Sequence, residues 1–233
     1  MKKLNFKILI FFLIFFIYSC DYPTVMYNEL VYENDFENNS SLKEIDGAAI
    51  SFFNDSYVLG DFNNDGFTLH LEDVIDHDYV FISFDLYIHG NWDGNSNGFK
   101  ENDQADFWII ELNPDMQNIS EDYHIFRTTF SSSPCWPNYC LKQSYPDSYP
   151  EINNPKTGFF EENLPRKCDG FFGGSTTQYK IEKTFQSTGR SIIMRIHDML
   201  YQPNAIDDFG NSQQKCDESW SVDNLKIRVV KYK

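Results

Sequence analysis

The chain has 233 residues with 35 acidic against 19 basic side chains, a formal charge of −16, and a surface so acidic repels the phosphate backbone of nucleic acids. Its aromatic content of 17%, with 22 Phe and 14 Tyr, sits beside many Asn, Asp, Gly and Ser residues, a mixture that favours short strands joined by polar turns. No stretch after the N-terminal segment has the 3.6-residue apolar period of a long amphipathic helix.

Lys2, Lys3 and Lys7 make a basic start, and residues 8–18 follow as an apolar run, ILIFFLIFFIY, that ends at Ser19-Cys20. Basic start, apolar stretch and small residue form the plan of a secretory signal, and the run is shorter than the ~20 apolar residues of a membrane-crossing helix. The tetrapeptide Ile17-Tyr18-Ser19-Cys20 resembles the bacterial lipobox, although Tyr18 is bulkier than that pattern usually has. The resemblance implies cleavage after residue 19, lipid on the thiol and amine of Cys20, and anchoring by several acyl chains. It places the protein in a bacterial cell envelope, on the outer membrane or cell surface rather than the inner membrane. An ordinary signal, with Cys20 left to pair with another cysteine, is the alternative. Without residues 1–19, 35 acidic residues face 16 basic ones, a surface suited to divalent cations and neutral or cationic ligands, or simply to solubility.

The expected organisation is a signal over residues 1–19, a lipidated tether over 20–29 and one domain over 30–233, a length that a single all-β unit commonly reaches. Period-two patterns predict strands at residues 30–36, 48–53, 67–72, 79–88, 106–112, 124–130, 177–185, 191–197 and 221–231. Phe67, Leu69 and Leu71 alternate with Thr68, His70 and Glu72, and Leu225, Ile227 and Val229 alternate with Lys226 and Arg228, the pattern of strands with one buried and one wet face. About nine strands with polar turns predict an all-β, antiparallel β-sandwich of the jelly-roll type.

Residues 131–174 lack alternation and hold three of the four remaining cysteines, Cys135, Cys140, Cys168 and Cys216. An even number in an exported chain argues for disulfides. Three pairings are open. The closeness of Cys135 and Cys140 favours a staple within one loop, leaving Cys168 for Cys216. Zinc fits poorly, because C-x4-C has no histidine nearby.

Asp61-Phe62-Asn63-Asn64-Asp65-Gly66, with Glu72 six residues after the glycine, matches the calcium-loop pattern D-x-[DN]-x-[DN]-G-x5-E, and Asp61, Asn63, Asp65 and Glu72 offer the oxygens that Ca2+ takes. Such a loop needs a helix after it, whereas Phe67 to Leu71 alternates as a strand. A hairpin turn at Asn64-Asp65-Gly66 is the competing reading.

The strings FDLYIHGNWDG (84–94), DFWII (106–110), TTFS (128–131), QSYP (143–146) and DESWSVDNLKI (217–227) resemble an extracellular jelly-roll domain of bacterial surface proteins, akin to galactose-binding-like and lectin-like sandwiches. The closing string is the most specific of these, and the family is largely uncharacterised. The resemblance implies a structural calcium where first and last strands meet, pointing to Asp35 and Glu37 with Asp217, Glu218 and Asp223; turn-capping hydrogen bonds would explain the same carboxylates. It also implies a binding module. Trp92, Trp136, Tyr139, Tyr145 and Tyr149 lie in expected loops, where they would stack against sugar rings or roof the core.

No G-x-S-x-G, H-E-x-x-H or Walker loop is present, and five histidines are scattered. A glycosidase needs only two opposed carboxylates, so a hydrolase on the same sandwich stands as an alternative to a module that binds a glycan or a surface protein, as does a structural component of a surface complex.

Overall fold

A computed structural model describes residues 22–37, 42–96, 104–114, 122–168, 174–202 and 214–233. The signal segment and Cys20 lie outside the described residues, among which no helix is long and apolar enough to cross a membrane.

Twelve strands run through them: β1 (Val25–Asn34), β2 (Ile45–Asp46), β3 (Ile50–Phe53), β4 (Ser56–Phe62), β5 (Gly66–Leu71), β6 (Tyr79–Gly90), β7 (Phe107–Leu112), β8 (His124–Thr129), β9 (Glu161–Leu164), β10 (Thr176–Gln186), β11 (Ile192–Met199) and β12 (Glu218–Tyr232), with α1 (Gln214–Asp217) a single turn before the last strand. Each of the nine expected strands is present. The three unexpected ones are β2, β4 and β9. β4 escapes the alternation rule because Val58 and Leu59 are adjacent and both buried, while Gly60 and Asp61 punctuate the run. β1 begins at Val25, so residues 25–29, assigned to the tether on sequence, belong to the sheet.

The strands form two antiparallel sheets, β3-β4-β12-β6-β10-β9 with β1 also on β12, and β2-β5-β11-β7-β8. β4 pairs with β12, β5 with β11, β6 with β10 and β7 with β8. This nesting of first with last and inner with inner is that of a long hairpin folded over on itself, a jelly roll.

The core is filled by alternate residues from both sheets. Phe67, Leu69 and Leu71 of β5 are buried while Thr68 and His70 stay half-exposed, as their period predicts. Trp108, Ile110 and Leu112 do the same for β7, and Val80, Ile82, Phe84, Leu86 and Ile88 for β6. β12 changes parity part-way. Its register against β6 shifts between Asp223 and Lys226, and Asn224 takes a positive φ of 54°. The shift moves the inward set from Glu218, Trp220 and Val222 to Leu225, Ile227 and Val229, so both halves of the strand bury their apolar residues.

The long connection from Ser131 to Gly174 is organised by Gln143. Its Oε1 accepts the amides of Ser131 and Lys156, and its Nε2 donates to the carbonyls of Tyr145 and Thr157. Cys135 is bonded to Cys140 and Cys168 to Cys216, the second bond tying the end of this connection to the turn before β12.

Candidate functional site

Trp136 sits at the tip of the Cys135–Cys140 loop, with 65% of its surface exposed, and Tyr139 beside it is 51% exposed. The two exchange backbone hydrogen bonds of 2.8 and 3.2 Å in a narrow bridge. The disulfide and the bridge together hold the indole away from the core. Beneath it lies an open groove of about 610 Å³ lined by Ser133, Pro134, Trp136, Lys142, Asn154, Lys156 and Glu162. Lys142 donates to Asn154 Oδ1 (2.6 Å) and Lys156 to Glu162 Oε2 (3.0 Å), so the polar groups are already oriented. A flat apolar face beside fixed donors and acceptors can recognise a polyhydroxylated ring.

A second constellation closes one end of the sandwich. In β12, Glu218 continues the inward parity of Trp220 and Val222; in the other sheet, Asp106 continues that of Trp108, Ile110 and Leu112 just before β7. Asp93 enters from the connection that leaves β6, and one carboxylate oxygen from each of Asp93, Asp106 and Glu218 lies within 4.8 Å of the other two. Asp106 is fully buried and Glu218 is 2% exposed. Asp106 is clamped, its Oδ2 accepting the Asp93 amide (3.1 Å) and its Oδ1 the Tyr201 amide (3.1 Å). Glu218 Oε2 is buried without a hydrogen-bond partner. Gly90, at φ 85°, lets the chain pass against the Asp217 carbonyl, which a Cβ would strike.

The electrostatics follow from this burial. Removal from water pushes the carboxyls of Asp93 and Asp106 up to about 7, with each also repelled by neighbouring carboxylates. Glu218 is raised well above the usual range by burial and by the charges of Asp106, Asp217, Asp93 and Asp198. Asp217 and Asp198 are raised for the same primary reason. Three ionised carboxylates this close need protons or a cation between them.

The sequence-expected site residues divide among these places. Trp92 is fully buried, its Nε1 donating to the Ser219 carbonyl (3.2 Å), and Tyr145 is buried between Phe130 and Tyr179. Both roof the core, so neither offers a face to a ligand. Tyr149 is half-buried, edge-on to Phe107, with the Arg127 guanidinium against both rings. Trp136 and Tyr139 alone of the five present open faces.

The Asp61 to Glu72 calcium loop does not form, and neither does the competing hairpin: β4 and β5 belong to different sheets, so residues 63–65 carry the chain from one sheet to the other. β5 starts at Gly66 and runs extended, which carries Glu72 about 20 Å from them. Asp61 instead pairs with Lys167 (2.6 Å), Asn63 donates to Gln202 Oε1 and the Glu218 carbonyl, and Asp65 accepts the Gly66 amide. The other expected calcium set is split. Glu218 and Asp223 are five residues apart on β12, about 17 Å, and they face opposite sides of the sheet. Asp217 and Glu218 go with Asp93 and Asp106, whereas Asp223 faces Asp85 with Asp35 and Glu37 nearby, and burial followed by these charges pushes it up to about 6. Glu37 caps Ser56 and Tyr57, Asp35 accepts the Glu37 amide, and Asp223 accepts the Asn224 amide.

Sequence reasoning missed Asp93 and Asp106. For Asp106 a signal existed: an acid on the apolar parity of its own strand, the position that Glu218 holds on β12 and Asp198 on β11. Nothing local marks Asp93.

No protein-family model and no curated protein matches the chain. Among solved structures it is similar to a carbohydrate-binding module studied for specific mannan recognition, at 11% identity and a TM-score of 0.37, over 87% of this chain and 98% of that one.

Proposed function

We propose that this chain is a lipid-anchored envelope module that binds a glycan in the groove beneath Trp136. The observation that carries the reading is an indole 65% exposed on a loop held by a disulfide and a backbone bridge. A tryptophan in water loses the burial that stabilises its buried counterparts, and a rigid mount lowers the ordering cost of docking. Stacking on a sugar ring uses the flat face, and Lys142, Asn154, Lys156 and Glu162 supply hydroxyl partners. Anchoring rests on the lipobox-like Cys20, and only residues 21–24 separate it from β1. That spacer spans at most about 14 Å, which holds the domain close to its membrane.

A glycan array on the protein, repeated with Trp136→Ala, tests the binding reading. Selective binding that falls at least about tenfold in the variant supports it, since truncating a Trp that anchors a binding site costs about 2 kcal/mol or more; binding untouched by the substitution moves the site elsewhere. Cys20→Ser releases the protein from membranes in detergent-free fractionation, and unchanged partitioning removes the anchor. A protein partner is the second reading, favoured by Ile152, Phe159 and Phe160, which the same connection exposes at 72%, 44% and 58%. An array without hits favours it.

A further inference from the structure

The carboxylates that close the end of the sandwich have no part in the glycan groove. We propose that Asp93, Asp106 and Glu218 hold one divalent cation of the calcium class, which ties the two sheets together at that end. Oxygens within 4.8 Å of one another can all touch a single Ca2+, whose oxygen contacts run about 2.3–2.6 Å. The donor set is oxygen alone, without histidine or thiolate, which suits a hard cation rather than zinc or copper.

Two further observations point to an ion. None of the ion pairs among the described residues involves Asp93, Asp106 or Glu218, so the two buried acids and the half-exposed Asp93 lack a Lys or Arg partner. Glu218 is 2% exposed, and its Oε2 has no hydrogen-bond partner, an arrangement whose desolvation cost demands compensation. Asp106 is meanwhile held in place by two backbone amides, each oxygen keeping a lone pair free for a metal. The ligands come from separate segments: the connection after β6, the entry to β7 in the five-stranded sheet, and the start of β12 in the seven-stranded one. An ion among them acts as a crosslink.

The full chain, stripped with chelator, is titrated with Tb3+ under tryptophan excitation. Trp92 adjoins Asp93, while Trp108 and Trp220 lie two residues beyond Asp106 and Glu218 on the same strand faces, about 7 Å away. Sensitised terbium emission that Ca2+ displaces is expected. Glu218→Gln should weaken Tb3+ by more than the roughly 10- to 100-fold that loss of an outer-shell partner costs, while Glu72→Gln leaves it unchanged. Saturating Ca2+ should raise the melting temperature by roughly 5–10 °C, and Glu218→Gln should abolish that rise. Should Glu218→Gln fail to fold, Asp93→Asn, at a half-exposed position, carries the same comparison. Absence of both emission and melting shift overturns the site in favour of carboxyls that keep their protons; emission equal in Glu218→Gln and Asp93→Asn to that of the unsubstituted protein places the ion elsewhere.

Discussion

Three tryptophans, Trp92, Trp108 and Trp220, are fully buried, and the fourth, Trp136, is 65% exposed. The buried three sit where strands or their extensions carry them inward, Trp108 and Trp220 meeting edge to face at 5.9 Å, directly inside the carboxylate end. Trp136 sits where the chain has left both sheets and is pinned by Cys140 and Tyr139. The contrast teaches that residue type alone does not separate a core roof from a ligand platform; the parity of the strand, or its absence, does.

The largest effect that sharpens this contrast is on stability. Trp220→Ala should cost about 3–5 kcal/mol, as large-to-small changes of buried aromatics do, whereas Trp136→Ala should stay within about 0.5 kcal/mol; urea unfolding of both variants measures the difference. Comparable losses in the two would mean that the stapled loop belongs to the core.

A smaller effect tests the outer face of the seven-stranded sheet. His89 on β6 is buried, its ring nitrogens hydrogen-bonded to Thr176 and Ser221, with Tyr87 and Phe53 against it. Burial, helped by the Lys167 charge, lowers it from 6.5 to about 3. The unfolded chain therefore takes up a proton below pH 6.5 that the folded one refuses. Its neutral form's contribution is complete above pH 6.5 and declines as pH falls toward 3, by up to about 1.4 kcal/mol per pH unit. In the cation-free protein the raised carboxyls of Asp93 and Asp106 act with the opposite sign, gaining stability as pH falls through 7. Melting profiles of the unsubstituted protein and His89→Gln, subtracted, isolate the histidine; superimposable profiles would show that it titrates freely.

Much of the β-sandwich was readable along the chain, because a two-residue period reports directly on which side of a strand is dry. That is why the sequence places β5 and the second half of β12 with their buried faces correct. β4 was hidden by adjacent buried residues and by Gly60, β9 by its brevity. The closeness of Cys135 and Cys140 favours the disulfide pairing that forms, while leaving the other two pairings open. The calcium expectation joined Glu218 and Asp217 to Asp35, Glu37 and Asp223, although Glu218 and Asp223, five residues apart on one strand, fall on opposite faces by alternation alone; that Glu218 meets Asp93 and Asp106 depends on the closing of two sheets.

By itself, then, the sequence determined the strand character, the expectation of export and the aromatic nature of the interior, all of which depend on local pattern and composition. Tertiary structure alone decided which of five loop aromatics stays open and which acids meet. Asp93, Asp106 and Glu218 are neighbours only because two sheets close on each other, and proximity across a fold comes from packing between strands distant in the chain.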